Sequence, residues 1–173
     1  MMKKEKNTTA ITAENALARL RALCAAAEQA EAPLRRKLGQ WGLAARDVDE
    51  VIATLKRERY LDERRYARAF VHDKWAFNGW GRVKIAMQLR RNGVAAGVVE
   101  EALAQGIADD EYHDALRRLM LAKWKSLQGR EPALARAALL RFAASRGYEA
   151  PLIMKMSEEI THIAADDEGF LDA

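Results

Sequence analysis

A pattern of apolar residues that recurs three times, each copy aligned on a glycine, constrains the fold of this chain more than any other feature. The glycines are Gly42, Gly93 and Gly147, spaced 51 and 54 residues apart. Apolar residues stand eight and four positions before each glycine, and one and six positions after it. They are Leu34, Leu38, Leu43 and Val48, then Ile85, Leu89, Val94 and Val99, then Leu139, Ala143, Tyr148 and Ile153. A period of this length predicts tandem copies of one supersecondary unit.

Each unit is predicted to contain three helices, because its apolar residues recur at three- and four-residue spacing. The longer first helices are predicted at about 13–29, 62–77 and 109–127. A short second helix ends at each aligned glycine, since glycine suits the C′ position that follows a helix. A third helix follows the glycine in each unit. The sequence therefore predicts nine helices.

Individual residues indicate where some of these helices begin, and two others interrupt the pattern. Asp62 is a good N-cap, and Pro33 suits the first helical position. Ser157 stands ten residues after its glycine, where the first two units have apolar residues. Lys123 falls on the apolar side of the last long first helix. Neither exception outweighs the repeat.

Composition agrees with a helical fold. Half of the 173 residues are apolar, with only 10 glycines and 3 prolines, so the predicted class is all-α. A unit of about 50 residues buries little surface alone, so three tandem three-helix repeats should share contacts and form an elongated, curved array. The predicted segments are a disordered tail 1–12, repeats 13–60, 61–107 and 108–163, and an acidic tail 164–173.

The sequence favours a cytoplasmic protein. No apolar run approaches the ~18 residues of a spanning helix, so no membrane association is expected. The charged N-terminus is not followed by an apolar segment, unlike a signal peptide. Cys24 is the only cysteine and lies on an apolar helix face, so it is interpreted as a buried small hydrophobe.

No pattern of residues indicates an enzyme, and no cofactor or metal is expected. The three histidines are far apart and have no cysteine nearby at ligand spacing. Gly79-x-Gly81 resembles the start of a dinucleotide fingerprint, but it lacks the third glycine and a preceding strand. Asp62 and Glu63 are adjacent carboxylates, yet neighbouring residues on a helix point in different directions. The expected class is a non-enzymatic, monomeric binding protein.

The distribution of charge is more informative than the net charge of +4. Residues 117–146 hold eight basic residues against Glu131 alone, whereas 147–173 hold Lys155 against seven acids. The acidic end could fold over the basic third repeat and compete with an anionic partner.

The second helices carry the candidate partner-binding residues, which form a stripe if the repeats stack in register. They are Arg35, Arg36 and Lys37, then Arg82, Lys84, Arg90 and Arg91, then Arg136, Arg141 and Arg146.

Two sequence motifs in the middle repeat resemble those of the RecX family, the bacterial regulators of the RecA recombinase. The first motif is Tyr60-Leu61-Asp62-Glu63-Arg64-Arg65-Tyr66-Ala67, which has Tyr66 where the family usually has phenylalanine. The second is Ile85-x3-Leu89-x3-Gly93-Val94, on a basic helix. As a repeat pattern, the resemblance extends from about residue 13 to 160.

The resemblance implies a modulator, mainly an inhibitor, that lies in the groove of the RecA–DNA filament and bridges neighbouring protomers. It would hinder filament growth, strand exchange and ATP hydrolysis, and so regulate recombination, DNA repair and the SOS response. One rival is a direct binder of single- or double-stranded DNA, because each turn between two short helices imitates a helix-turn-helix. A second rival is a helical adaptor for another acidic protein.

The middle repeat is the predicted centre of the functional surface. Arg82, Lys84, Arg90 and Arg91 have no acidic residue among them, and burying unpaired cations is too costly. They should therefore project from a helix whose core side is formed by Val83, Ile85 and Leu89. Trp80, between two glycines, is either a plug between repeats or a partner contact.

Overall fold

The computed structural model of the chain describes the backbone of residues 11–169 and the side chains of residues 11–162. Every regular element in that part is an α-helix, in agreement with the predicted all-α class. The helices are α1 (Ala13–Ala26), α2 (Glu31–Gln40), α3 (Ala45–Arg57), α4 (Glu63–Ala76), α5 (Arg82–Arg91), α6 (Ala96–Gly106), α7 (Asp109–Lys125), α8 (Pro132–Arg146) and α9 (Ala150–Gly169). Most of the predicted N-terminal tail, residues 1–10, and the last four residues of the acidic tail lie outside the described range.

The three aligned glycines have the same role in each unit, and the predicted repeat is confirmed. Gly42, Gly93 and Gly147 have φ angles of +86°, +86° and +88°, in the left-handed region where glycine carries no steric penalty. The next residue then donates its N–H to the carbonyl five residues earlier, as Val94 does to Leu89 at 3.1 Å. This C-terminal motif ends α2, α5 and α8 and turns the chain into the following helix.

The predicted helix starts are partly confirmed. Asp62 is the N-cap of α4, and its carboxylate accepts the N–H of Arg65 at 2.8 Å. The prediction for Pro33 was wrong, because α2 already begins at Glu31. Proline is still tolerated there, since the first four N–H groups of a helix have no intrahelical partner. α1 ends at Ala26, before the predicted end near 29, because Ala27 is extended.

Each unit packs its three helices together, and the buried residues form two separate cores. The first unit has its own core, with Leu20, Leu38 and Leu55 fully buried. Cys24 belongs to this core, as predicted, and burial raises the pKa of its thiol. The second and third units share one continuous core. Neighbouring units were expected to share core contacts. They do so fully only at the junction between the second and third units.

The junction between the second and third units combines aromatic packing with backbone hydrogen bonds. Tyr112 of α7 lies 5.4 Å from the Trp75 ring and stacks on Tyr148 at 4.9 Å. Gly81 donates its N–H to the carbonyl of Arg146 at 2.8 Å. Such a hydrogen bond pairs a free N–H group at the start of one helix with a free carbonyl at the end of another. It therefore fixes the two units in one orientation.

The junction between the first and second units is polar. Glu28 accepts a hydrogen bond from Arg65, which also donates to the carbonyl of Arg59 at 3.1 Å. A cavity of about 290 Å³ lies between the units, lined in part by Tyr66 and Asn92. Among the described residues, hydrogen bonds and ion pairs join the first unit to the second and the second unit to the third. None of them joins the first unit to the third. The units thus follow one another in a tandem array.

Candidate partner-binding surface

The second helices of the three units expose equivalent positions. The residue six positions before the aligned glycine is exposed in every unit, where it is Arg36, Met87 or Arg141. In the middle unit, Arg90 and Arg91 are also exposed on α5. The pattern follows from helix geometry, because the buried residues eight and four positions before the glycine occupy the opposite side.

The apolar residues of α5 are divided between two sides, which corrects the sequence-based prediction. Ile85, Ala86 and Leu89 form the core side. Val83 was predicted to join them but is 51% exposed, and Met87 is 61% exposed. Val83 precedes Ile85 by two residues, and successive residues are about 100° apart around a helix, so the two point in nearly opposite directions.

Arg82 is occupied by contacts within the protein. Its guanidinium donates to the carbonyl of Ile107 at 2.9 Å and to Asp109 Oδ1 at 2.6 Å. It also lies 4.3 Å from the ring centre of Tyr112. The hydrogen bond from Arg82 lowers the pKa of Asp109. The expectation that all four cations of α5 project freely is therefore wrong for Arg82, whose acidic partner follows 27 residues later. It is also wrong for Lys84, which donates to the carbonyl of Ser145 at 3.2 Å.

Two of the three candidate cations in the first unit have partners. Arg35 bonds both Glu31 and Asp49 at 2.6 Å. Lys37 Nζ lies 5.9 Å from the ring centre of Trp41. Arg36, between them in sequence, is exposed and makes no ion pair with any described residue.

The third unit shows the same division. Arg136 approaches Glu158 at 3.8 Å. Arg146 donates to the carbonyl of Asn78 at 3.4 Å and lies over the Phe142 ring. Arg141 is exposed, and the described part of the chain gives it no ion-pair partner.

The structure thus reduces ten sequence candidates to four exposed arginines without a described partner, and adds two exposed apolar residues. We define the outer face as Arg36, Val83, Met87, Arg90, Arg91 and Arg141. Exposed apolar side chains on the same helix as two exposed arginines suit an apolar site rimmed with acids on another macromolecule.

A second basic group lies at the junction of the second and third units. Sequence reasoning named Lys84 and Arg146 as candidates but missed the contribution of Lys74, Lys123 and Phe142. We define the aromatic–cation cluster as Lys74, Trp80, Lys84, Lys123, Phe142 and Arg146. Trp80 packs against the shared core, as a plug between repeats would. The sequence did contain one signal, since Lys123 interrupts an apolar helix face and so required a special environment.

The described residues offer neither a metal site nor a membrane-spanning helix. They contain no group of three or more His, Cys, Asp or Glu side chains that could hold a metal ion. Within the same range, no helix is long and apolar enough to cross a membrane. The fold and its surface define the class of protein as a tandem array of three-helix units with a basic, partly apolar exposed surface.

Comparisons with known proteins identify the family. Residues 62–103 match the family model described as RecX, second three-helix domain. Over 135 residues, 74% of this chain, the sequence is 32% identical to Regulatory protein RecX of Trichlorobacter lovleyi, of which 84% is covered. It is 35% identical over 130 residues to Regulatory protein RecX of Halorhodospira halophila, covering 74% of this chain and 77% of that protein. This chain belongs to the RecX family of regulatory proteins.

A solved structure extends the similarity to the fold. The crystal structure of RecX from Lactobacillus salivarius matches with a TM-score of 0.73 and 13% sequence identity, covering 86% of this chain and 96% of that chain. The resemblance to the RecX family, which rested on two sequence motifs, is confirmed, and so is the predicted architecture.

Proposed function

We propose that this protein is a non-enzymatic modulator, mainly an inhibitor, of the RecA recombinase. It acts as a monomer in the cytoplasm and lies in the groove of the RecA–DNA filament, where it bridges neighbouring protomers. Membership of the RecX family is the observation that carries the proposal. A tandem array also presents a long surface, which suits a filament better than a small molecule.

The outer face is the proposed docking surface. Met87 and Val83 supply apolar contact area on its middle helix, α5, and both are more than half exposed. Arg90 and Arg91 follow on the same helix, where they can pair with carboxylates of the filament. An apolar centre with charged residues at the rim is the usual anatomy of a protein interface.

Docking across protomers would inhibit RecA by holding the filament in one arrangement. A bound array resists the relative movement of protomers that accompanies filament growth and ATP hydrolysis, since it gains contacts with both protomers in only one geometry. It also occupies space that strand exchange requires.

The test compares variants in RecA ATPase and co-sedimentation assays on single-stranded DNA. The parent protein should suppress ATP hydrolysis and sediment with the filament. A Met87→Gln/Arg90→Gln/Arg91→Gln variant keeps helix-forming residues and should need about tenfold more protein for half-inhibition, which corresponds to about 1.4 kcal/mol.

Arg46→Gln/Arg57→Gln is the matched control, because it removes the same charge from exposed positions of α3. It should inhibit as the parent does. Equal inhibition by the parent and the α5 variant would exclude the outer face. Binding to bare DNA with no preference for the RecA filament would instead favour the direct DNA binder.

A further inference from the structure

The aromatic–cation cluster holds four cations beside Trp80 and Phe142, and Lys74 also lies 5.4 Å from the ring centre of Phe70. Lys84 Nζ lies 4.5 Å from the ring centre of Trp80, and Lys74 Nζ lies 5.4 Å from the same ring. On the other side of the junction, Lys123 Nζ and the Arg146 guanidinium are each 5.4 Å from the centre of Phe142. The rings attract these cations through their negative faces.

Hydrogen bonds join the two halves of the cluster across the unit boundary. Lys84 donates to the carbonyl of Ser145 at 3.2 Å, and Arg146 donates to the carbonyl of Asn78 at 3.4 Å. The two remaining cations, Lys74 and Lys123, have no hydrogen-bond acceptor among the described residues. Two of the four cations, Lys84 and Arg146, are therefore held across the unit boundary, and each lies beside the same ring as one of the other two.

No carboxylate neutralises the cluster within the described part of the chain. None of its four cations forms an ion pair there, and all four remain partly exposed. Glu131, the only acid between 117 and 146, uses both carboxylate oxygens to cap α8, accepting the N–H groups of Ala133 and Leu134. Cations held close together without counter-charges repel one another, and a bound polyanion relieves that repulsion.

We propose that the aromatic–cation cluster binds the sugar-phosphate backbone of a nucleic acid, without any need for RecA. Phosphates are favoured over bases, because cations lie over the faces of Trp80 and Phe142 on which a base would stack. Lysine ammonium groups act as point charges that suit phosphate oxygens. A nucleic acid is favoured over an acidic protein because its charges repeat along the strand and can reach both units.

Fluorescence anisotropy of a labelled oligothymidylate and of a duplex of matched length, across a range of salt, tests the site. The variant is Lys74→Gln/Lys123→Gln, since these two lysines make no hydrogen bond that supports the junction. It should bind both DNAs about tenfold more weakly at low salt. Its slope of log affinity against log salt should be shallower by about 1.4 for single strands and about 1.8 for duplex. A larger loss on one DNA shows which form supplies the phosphates.

Arg46→Gln/Arg57→Gln again supplies the control, with the same change in charge on the first unit. It should bind DNA like the parent. The proposal is overturned if both variants lose the same affinity, if the salt slope is unchanged, or if polyglutamate of equal charge competes as well as DNA. An unchanged thermal transition verifies that the variant is folded. RecA is absent from the assay, so failure here leaves the proposed docking on the filament untouched.

Discussion

Gly81 and Gly147 bring the backbones of the second and third units into direct contact. A β-carbon on Gly81 would lie 2.2 Å from the carbonyl oxygen of Gly147, and one on Gly147 would lie 2.1 Å from the β-carbon of Lys84. The same carbonyl of Gly147 accepts the N–H of Val83 at 3.0 Å. The absence of side chains at both positions allows this junction to form.

Gly81→Ala should therefore destabilise the protein by about 3 kcal/mol, at the upper end of ordinary overpacking, because the new methyl group meets backbone that cannot rotate away. Calorimetry should show a lower melting temperature. Gly97→Ala is the matched control, since a β-carbon there has no neighbour within 4 Å. In α6 the control should be neutral or stabilising by up to about 1 kcal/mol. Equal melting temperatures for the two variants would refute the backbone contact.

Arg65→Gln should loosen the first unit from the second. Arg65 pairs with Glu28 through Oε1, whereas Oε2 of the same carboxylate is buried and has no hydrogen-bond partner among the described residues. The variant should lose roughly 1–2 kcal/mol, with faster amide hydrogen exchange in residues 27–30 and at the start of α4.

The neighbouring residue provides the control for that experiment. Arg64 forms a more exposed ion pair with Glu101 at 3.3 Å, and such pairs contribute roughly 0–1 kcal/mol. Arg64→Gln should leave hydrogen exchange at 27–30 unchanged. If the two variants exchange alike, the Glu28 pair does not hold the first unit in place.

Ser157→Ala should stabilise the protein by about 1 kcal/mol. Ser157 is fully buried, and its hydroxyl has no hydrogen-bond partner among the described residues. Removing an unsatisfied buried group and adding a better helix former both favour the native state. Urea unfolding measures the gain. Ser126→Ala, at an exposed position, should change stability by less than about 0.5 kcal/mol, and a loss of stability in Ser157→Ala would contradict the prediction.

Alkaline pH should destabilise the protein through three tyrosines. Burial raises the pKa values of Tyr66, Tyr112 and Tyr148 above the ordinary 10.0, and the hydrogen bond to Glu149 raises that of Tyr112 further. Because the native state holds these protons more tightly than the unfolded chain, the stabilisation is complete below about pH 10. It is lost as the pH rises through the folded-state values.

The free energy of unfolding, measured in urea at a series of pH values, should therefore fall above about pH 10. Tyr112→Phe removes one of the three groups, so its stability should fall less steeply with pH, although it loses about 1 kcal/mol at neutral pH with the missing hydrogen bond. Stability that is constant up to strongly alkaline pH would disprove the assignment.

The sequence by itself determined the helical class, the three units and the turn at each glycine. These features depend on local regularities: apolar side chains at helical spacing must share a side, and a glycine can adopt positive φ where other residues are strained. Leu34, Ile85 and Leu139 are accordingly all buried at the same register position. The N-cap role of Asp62 was predictable for the same reason, because its acceptor geometry involves only the next three residues.

Only the tertiary structure decided which cations are available to a partner. Arg82 meets Asp109, and Lys84 meets the carbonyl of Ser145, 61 residues away. Such pairings depend on how whole helices lie against one another, which no local spacing specifies. Helix packing also left Val83 exposed, and it placed Lys74 beside Trp80 and Lys123 beside Phe142, on the two sides of one junction. Periodicity fixes which side of a helix is apolar, whereas the long-range energies of packing and charge select what each polar side chain meets.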